Sequence, residues 1–494
     1  MRVAFLNPNL DGSPIPNLGL AYVMSAVEPG NDLILLDMSF HGRDYQAYTS
    51  QRLREFKPDV VAFSVTSFSY HNALKIASQI RKEYADIPLV YGGVHPTLMP
   101  EETIKNSLVD AICIGEGEDA FKEYLNSLSV GRDPSQVAGI WYKDRKGEII
   151  RNPLRPWRQD LDALPFPNWD YWEIEKYLQT NLYFVGAIGY LFSRGCPYNC
   201  TFCSNPALRK AVPGTFYRLR NPQSMIEEIK QNIVKYQHKG FRNIAFGDAT
   251  FGLDPDILRQ FCDLYKKENL HRKYPWVCQT RADVITEEWV SNVQSAGCCM
   301  VTLGIESAHE YIRTKVYGKL MSNAHIESAV KLLRKNKIMY ALNLIIGCPE
   351  ETKESVKASL DFIKRADPIN TYVSFYQPLP KTELGEKTKK LVVTDVEKLT
   401  KPWNTVRISV KHMRRIELEM IMLNVRWHKV LKFMLAGLRL RGVFFLAAVF
   451  KYVFSIGKIR TMPLSHPYME VDLEQRTLYT YLLDNWQKNF LRNL

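Results

Sequence analysis

Residues 193–206 read SRGCPYNCTFCSNP and hold three of the nine cysteines of this 494-residue chain, at the spacing C-x3-C-x2-C. Zinc needs four closed ligands, and no further Cys or His follows Cys203 within thirty residues. A redox pair of Cys200 and Cys203 is a second possibility, but no thioredoxin-like unit surrounds it. A four-iron cluster held by three thiolates explains the missing partner, because one iron stays open to a substrate or cofactor. We therefore expect Cys196, Cys200 and Cys203 to be metal ligands.

The composition is that of an ordinary folded protein, with 46% hydrophobic and 24% charged residues. A chain of this length is expected to form two to four domains. The other six cysteines are scattered, so they do not form the disulfide framework of a small secreted protein. The N-terminal MRVAFLNPNL has too short an apolar run for a signal peptide. These features predict a protein of the reducing cytoplasm.

Residues 1–130 alternate between strand and helix patterns. The strands are predicted at Val3–Leu6, Leu33–Asp37, Val60–Thr66, Leu89–Tyr91 and Ala111–Ile114. This α/β alternation predicts a doubly wound, Rossmann-like parallel sheet, with ligand loops at the carboxyl ends of the strands. Glycines in those loops let a large ligand approach the backbone. The candidate ligand contacts there are Ser64, Gly92, Gly93, Gly115 and Gly117. No G-x-G-x-x-G follows the first strand, and a flavodoxin-like domain without a cofactor remains an alternative.

The rest of the chain is predicted to form three further regions. Residues 131–180 are rich in Pro, Trp and Arg, which is typical of a short hairpin and an extended linker. Residues 181–390 contain six strand–helix units, opened by the strand Ala187–Phe192, and predict a partial (β/α)6 TIM-like barrel. Chemistry in such a barrel is expected at the carboxyl ends of its strands. Residues 391–494 are predicted to be a basic, helical C-terminal region.

The cysteine stretch, with Phe202 beside Cys203 at the end of the first barrel strand, strongly resembles the radical S-adenosylmethionine (SAM) superfamily. The resemblance continues in order along the chain. Phe246-Gly247-Asp248 is similar to the Gly-Gly-Glu motif that holds the amino group of SAM, and Ile345-x-Gly347-x-x-Glu350 is similar to the adenine-side G-x-I-x-G-x-x-E motif. The SAM-binding residues that the resemblance implies are Gly247, Asp248, Arg281, Glu306, Gly347 and Glu350. Phe246 and Asn343 depart from the family pattern, because glycine is the expected residue at both positions.

A doubly wound domain directly before such a barrel is similar to the cobalamin-binding subclass of this superfamily. Cobalamin domains of the methionine synthase type supply a histidine to cobalt from a D-x-H-x-x-G motif. Here His41 follows Asp37 by four residues instead of two, so the motif is absent. Members of the subclass often bind cobalamin without that histidine, which agrees with the absence. His95 lies in a candidate ligand loop, where Pro96 favours a shaping role as much as metal contact.

The resemblance implies an enzyme with a 4Fe-4S cluster, SAM and cobalamin, and an electron donor such as flavodoxin or ferredoxin. It implies reductive cleavage of SAM and transfer of a methyl group to an unactivated carbon of a small-molecule substrate. An enzyme that closes a ring or inserts oxygen without methyl transfer, like the anaerobic magnesium-porphyrin cyclases, remains an alternative. A cobalamin- or cluster-based sensor is a third possibility, which predicts no cleavage of SAM.

The net charge of +13 is concentrated near the C-terminus. Residues 401–460 contain thirteen Lys or Arg and two Glu, which gives that segment a charge of +11. The apolar stretch within 426–460 is too short to span a bilayer. It predicts either a hairpin at the surface of an anionic membrane, with a lipid-like substrate, or helices that pack on the barrel. The aromatic residues follow a helical stripe and do not indicate nucleic-acid binding.

Overall fold

The structure is a computed structural model that describes residues 1–10, 15–180 and 186–388. The chain divides into two compact units. The first consists of Met1–Tyr198, Cys203–Phe241 and Leu379–Thr382. The second consists of Asn199–Phe202, Arg242–Pro378 and the described residues from Glu383 onward.

The first unit is built on a seven-stranded sheet with the order β2-β1-β3-β4-β5-β6-β7. Its strands are β1 (Arg2–Asn7), β2 (Asp32–Asp37), β3 (Val60–Ser64), β4 (Leu89–Gly92), β5 (Ala111–Cys113), β6 (Ile140–Lys143) and β7 (Ile149–Arg151). Neighbouring strands from β2 to β5 are parallel, whereas β6 and β7 pair antiparallel. The doubly wound parallel sheet predicted for residues 1–130 is confirmed. The hairpin expected within 131–180 exists and extends this sheet.

A helix or a pair of helices follows each of the five parallel strands. They are α1 (Leu18–Val27), α2 (Tyr45–Phe56), α3 (Tyr70–Glu83), α4 (Val94–Leu98), α5 (Pro100–Lys105) and α6 (Gly117–Ser129). The side chain of Asn17 caps α1 by accepting a hydrogen bond from Leu20 N–H. Strand β3 ends at Ser64, two residues before the predicted end, because Thr66 and Ser69 close a local turn through their hydroxyl and backbone groups.

The remaining elements of the first unit flank the cysteine stretch. They are α7 (Ile174–Thr180), β8 (Ala187–Tyr190), β9 (Ser193–Arg194), α8 (Ser204–Ala211), β10 (Arg218–Leu219) and α9 (Pro222–Tyr236). Strands β9 and β10 form a short antiparallel ladder in which Arg194 is opposite Arg218 and Ser193 is opposite Leu219. This ladder holds the chain immediately before the first cysteine.

The second unit contains five parallel strands, β11 (Asn243–Phe246), β12 (Trp276–Thr280), β13 (Cys298–Glu306), β14 (Met339–Ile346) and β15 (Asn370–Phe375). They follow one another in the sheet in chain order. The intervening helices are α10 (Pro255–Lys267), α11 (Glu287–Ser295), α12 (Asn323–Lys335) and α13 (Lys353–Ala366), followed by α14 (Glu383–Thr388). With β8, these are the six strands of the predicted partial barrel, and that α/β fold class is confirmed.

Sequential order of parallel strands follows from the strand–helix alternation, because each crossover helix returns the chain to the same end of the sheet. Asp254 caps α10 and Pro255 occupies its first turn, so the helix begins directly after the β11 loop. Phe246, which departs from the family pattern, is buried and packs edge-on against Phe261 and Trp276. Its side chain therefore contributes to the packing of the second unit.

The predicted basic C-terminal region, 391–494, lies outside the described residues, and so does its apolar stretch at 426–460. Among the residues that the structure describes, every helix is too short or too polar to cross a bilayer.

Candidate functional site

The three cysteines of the 193–206 stretch are held by short, well-fixed backbone segments. Cys196 is buried in the first unit, and Cys203 precedes the first turn of α8. Gly195, between β9 and Cys196, has a φ of +83°, and a Cβ there would lie 2.2 Å from the carbonyl oxygen of Phe216. Only glycine fits this position, because the backbone of residue 216 occupies the space of a side chain.

Cys200 belongs to the segment Asn199–Phe202 of the second unit. Thr201 fixes this segment: its N–H donates to Tyr317 O at 2.9 Å, and its hydroxyl donates to Val316 O at 2.6 Å. Its carbonyl accepts from Leu384 N–H at 2.9 Å, and the ring of Phe202 packs edge-on against that of Tyr317. Thr201, directly after Cys200, is thus anchored both to the loop after β13 and to the start of α14.

Arg281, predicted from its position after β12, approaches the cysteine stretch within the second unit. Its Nη1 atom lies 3.9 Å from Cys200 Sγ, while Nε and Nη2 donate to the two carboxylate oxygens of Asp283 at 2.9 and 2.7 Å. The guanidinium is buried. A hydrogen bond to a cysteine sulfur is one of the contacts by which a protein adjusts an iron–sulfur cluster.

Within the described residues, no three Cys, His, Asp or Glu side chains converge on the position of a single metal ion. Ligands of a four-iron cluster bind separate irons, so they do not need to meet at one point. The donor set of three cysteines, with a cation beside one of them, is compatible with a cluster.

The other predicted SAM-binding residues follow β11, β13 and β14 at their carboxyl ends. Asp248 is fully buried after β11, and its carbonyl accepts from Gln279 Nε2 at 2.8 Å. Glu306 ends β13 in a left-handed conformation, with a φ of +59°. Gly247 and Gly347 are the backbone positions beside these ends, and Gly347 has a φ of +90°, which favours glycine.

Two side chains that sequence reasoning missed contact these strand ends. Lys319 is buried and its Nζ lies 2.8 Å from Glu306 Oε1. Glu351 is fully buried and accepts a hydrogen bond from Gly347 N–H. Burial raises the pKa of Glu351 to about 7, against the opposing effect of that hydrogen bond. The predicted residue Glu350 is instead exposed, and accepts from Tyr311 OH at 3.0 Å.

A cavity of about 360 Å³ lies at the carboxyl ends of β3, β4 and β5 in the first unit. Its wall includes all five residues predicted for the ligand loops: Ser64, Gly92, Gly93, Gly115 and Gly117. A Cβ at Gly93 would lie 2.8 Å from Val65 O, so the close approach of the two loops requires glycine. The polar side chains in the wall are Asn17, Ser64, Thr66, Glu116, Glu118 and Arg194. The mixture of glycine backbone, apolar side chains and a few polar groups is typical of a binding site for a small molecule or cofactor.

Neither candidate histidine lines this cavity. His95 stacks on Tyr70 and its Nδ1 lies 3.1 Å from Ser67 Oγ. Burial lowers the pKa of His95 to about 4, so the ring is neutral at physiological pH. His41 stacks on Tyr48 and pairs with Glu173 at 3.2 Å. Both rings are engaged in packing of the first unit.

Comparisons with known proteins agree with this arrangement. A family model described as the B12 binding domain matches residues 11–125, and the model of the radical SAM superfamily matches residues 190–363. The first match includes every glycine of the cavity wall. The second begins just before the three cysteines and ends after the last predicted strand-end acid.

Two curated relatives extend along most of the chain. An uncharacterized methyltransferase of Pyrococcus horikoshii is 31% identical over 376 residues, covering 76% of this chain and 79% of the relative. The anaerobic magnesium-protoporphyrin IX monomethyl ester cyclase of Rubrivivax gelatinosus is 28% identical over 413 residues, covering 81% and 72%.

The fold is shared with a solved structure. The radical SAM methyltransferase TsrM of Kitasatospora setae superposes with a TM-score of 0.63 at 21% identity, covering 79% of this chain and 76% of that protein. The two matching models, the first relative and the shared fold lead to one conclusion. The chain belongs to the radical SAM superfamily, in the family of enzymes that carry a cobalamin-binding domain.

Proposed function

We propose that this enzyme methylates an unactivated carbon of a small molecule, with a 4Fe-4S cluster, SAM and cobalamin as its cofactors. One observation carries the proposal: a single chain joins a C-x3-C-x2-C stretch at a strand end to a domain with a glycine-lined cavity. When bound, these cofactors supply the electron, the radical and the methyl group, which are beyond the chemistry of side chains. The protein supplies binding, orientation and exclusion of water.

The cluster ligands in this proposal are Cys196, Cys200 and Cys203. The hydrogen bond from Arg281 Nη1 to Cys200 Sγ, at 3.9 Å, supports a sulfur ligand at that position. Gly195 supports a fixed path for the backbone at Cys196, because no other residue fits there. In this role the chain holds three sulfurs in place and leaves one coordination site open for SAM.

The SAM site in this proposal uses Gly247, Asp248, Arg281, Glu306, Gly347 and Glu350. The burial of Asp248 and Glu306, at the carboxyl ends of β11 and β13, supports polar contacts to a charged ligand in a site shielded from water. The left-handed Glu306 supports the same interpretation, since such a conformation in a non-glycine residue is costly and persists at functional sites.

Cobalamin in this proposal occupies the first-unit cavity, against Ser64, Gly92, Gly93, Gly115 and Gly117. A corrin ring carries amide side chains at its edge, and the polar wall residues offer both donors and acceptors for them. His95 stacks on Tyr70 and does not line the cavity, which supports binding without a histidine ligand.

The experiment is anaerobic purification, cluster reconstitution and incubation with both cofactors, a reductant and candidate apolar compounds. We expect a brown chromophore, reductive cleavage of SAM, and a product heavier by one CH2, since a methyl group replaces a hydrogen. The Cys196→Ala, Cys200→Ala, Cys203→Ala triple variant is expected to lose the chromophore. A chromophore that survives all three substitutions contradicts the proposal.

Ring formation without methyl transfer is the second candidate, favoured by the 28% identical cyclase that aligns with 81% of this chain. SAM with a deuterated methyl group separates the two functions. Label in the product indicates methylation, whereas a product without label, with the label recovered in methionine alone, indicates the cyclase type of reaction.

We also propose an apolar or lipid-like substrate and peripheral membrane contact through 426–460, with an electron donor such as flavodoxin or ferredoxin. The support is the basic, apolar sequence of that segment. Binding to anionic vesicles that is lost when 426–460 is deleted supports this extension. If the full-length and deleted proteins sediment equally with the vesicles, the result contradicts this extension.

A further inference from the structure

Arg194 lies two residues before Cys196 and also forms part of the wall of the first-unit cavity. Its Nη1 donates to Glu116 Oε1 at 3.0 Å, and its Nη2 lies 2.7 Å from Glu118 Oε1. Glu116 and Glu118 line the same cavity, beside the loop glycines. One side chain therefore joins the strand that leads into the first cysteine to the proposed cobalamin site.

Glu116 is rigidly joined to the backbone segment that leads to Cys196. The second oxygen of Glu116 accepts from Arg218 Nη1 at 2.8 Å, so one carboxylate bridges both strands of the β9–β10 ladder. Arg218 Nε also donates to Phe216 O at 3.1 Å, the same oxygen that leaves no room for a side chain at Gly195. Movement of Glu116 would thus displace the backbone beside Cys196 instead of being absorbed by a flexible loop.

The ion pairs between Arg194 and the two carboxylates are also shielded from water. The guanidinium of Arg194 and the carboxylates of Glu116 and Glu118 are mostly buried, and Arg194 lies 4.8 Å over the ring of Tyr22. Burial opposes ionisation of Glu116, but Arg194 and Arg218 more than compensate and hold its pKa below the ordinary value. Charged groups in such a setting keep their geometry, because an uncompensated buried charge is costly.

We propose that Arg194 is a positioning residue that couples occupancy of the cavity to the arrangement of the cysteine stretch. This rests on the proposed function, which assigns cobalamin to the cavity and a cluster to the cysteines. A cluster on Cys196 fixes β9, and β9 fixes Arg194 with both carboxylates, so the cavity wall is preorganised for cobalamin. Because coupling of two binding sites is reciprocal, cobalamin also favours the arrangement that holds the cluster.

The experiment measures the dissociation constant of hydroxocobalamin by absorbance for the full-length chain with and without its cluster, under anaerobic conditions. Circular dichroism confirms that the cluster-free chain remains folded. For the wild type we expect cluster loading to tighten binding at least about fivefold, the lower end of typical coupling between sites. Arg194→Lys keeps the charge but loses the planar guanidinium that contacts two carboxylates. We therefore expect the ratio of its dissociation constants, without the cluster over with the cluster, to fall below about twofold.

Two further variants keep the test decisive. The Arg194→Gln/Glu118→Gln variant removes one charge of each sign, so it remains folded if Arg194→Lys does not, and it is also expected to lose coupling. Arg81→Gln is the matched control, because that side chain pairs with Asp110 at 2.6 Å and does not line the cavity. It is expected to retain the wild-type ratio.

The outcomes separate this inference from the function on which it rests. A wild type that binds cobalamin and cluster with a ratio near one overturns the coupling alone. A wild-type ratio that survives both Arg194 variants assigns the coupling to other residues and overturns the role of Arg194. A chain that binds no cobalamin, or assembles no cluster, overturns the proposed function and this inference together.

Discussion

Glu306 and Lys319 form a buried ion pair at the end of β13, with 2.8 Å between Oε1 and Nζ. Their side chains are 10% and 7% exposed, and Glu306 holds a left-handed backbone conformation with a φ of +59°. A lysine that neutralises a buried acid allows this strained strand end to persist. The pair links a residue proposed to contact SAM to the loop that anchors Thr201.

Lys319→Met is expected to destabilise the protein by about 3–5 kcal/mol, because it leaves the carboxylate of Glu306 buried without a partner. The Lys319→Met/Glu306→Gln variant removes both charges and is expected to recover most of that loss. The measurement is the urea midpoint, followed by tryptophan fluorescence. Lys335→Met is the control, because its pair with Glu287 is exposed and is worth less than about 1 kcal/mol. Equal midpoints for Lys319→Met and Lys335→Met contradict the prediction.

Glu351 predicts a pH dependence of stability. Burial raises its pKa from 4.5 to about 7, so the native state binds a proton more tightly than the unfolded chain. Stability from this group is present below about pH 4.5 and is lost as the pH rises to about 7. Glu351→Gln keeps an acceptor for Gly347 N–H, and we expect it to stabilise the protein above pH 7 by about 3 kcal/mol at most.

The measurement for Glu351 is the difference in unfolding midpoint between wild type and variant from pH 4 to pH 8. We expect this difference to grow with pH and then level off. Glu350→Gln is the matched control, since Glu350 is the adjacent, exposed carboxylate. If the midpoint difference for Glu351→Gln does not change with pH, or changes equally for both variants, Glu351 is not the group responsible for the pH dependence.

Much of this architecture follows from the sequence, because strand and helix patterns report which side chains are buried. The five parallel strands of the first sheet were predicted to within about two residues, and their loop glycines do line one cavity. The cysteine spacing identified the family, because three ligands without a fourth is an unusual pattern.

The sequence did not identify the charged partners of these sites. Lys319 lies just after a short π-helical turn, Ile312–Val316. The sequence there has no helical or strand periodicity that would indicate whether the lysine side chain is buried. Glu350 and Glu351 are adjacent carboxylates, and motif spacing alone favoured the exposed one. Arg194 was visible only as a residue flanking the cysteines. Burial and pairing of a charged side chain depend on contacts distant in sequence, which a local pattern does not encode.

Thr201→Val tests the anchor of the second-unit segment that contains Cys200. Valine has the same shape but cannot donate to Val316 O, so it leaves that carbonyl without the 2.6 Å hydrogen bond. One lost hydrogen bond of this kind costs about 1 kcal/mol. We expect iron to leave the reconstituted protein roughly fivefold faster in the presence of a chelator, measured by loss of the cluster absorbance.

The control for Thr201 is Thr314→Val. Thr314 donates its hydroxyl to Glu310 O at 2.8 Å within the same loop, but it does not hold the cysteine stretch. Its rate of iron loss is expected to match the wild type. If both variants lose iron equally fast, stability of the loop and not the anchor at residue 201 determines cluster retention.

Gly195→Ala is expected to prevent cluster assembly, with less than about a tenth of the wild-type iron after reconstitution. The new Cβ would lie 2.2 Å from Phe216 O, which no side-chain rotation relieves, so the backbone beside Cys196 must move. Gly131→Ala is the matched control: its φ is +66°, but nothing lies within 4 Å of the added Cβ. It shares the strain of about 1–2 kcal/mol that a left-handed alanine carries, without the collision. Iron content by absorbance and chemical assay should therefore stay at the wild-type level in Gly131→Ala. Full iron content in Gly195→Ala would show that the path of the chain at residue 195 does not control the cluster.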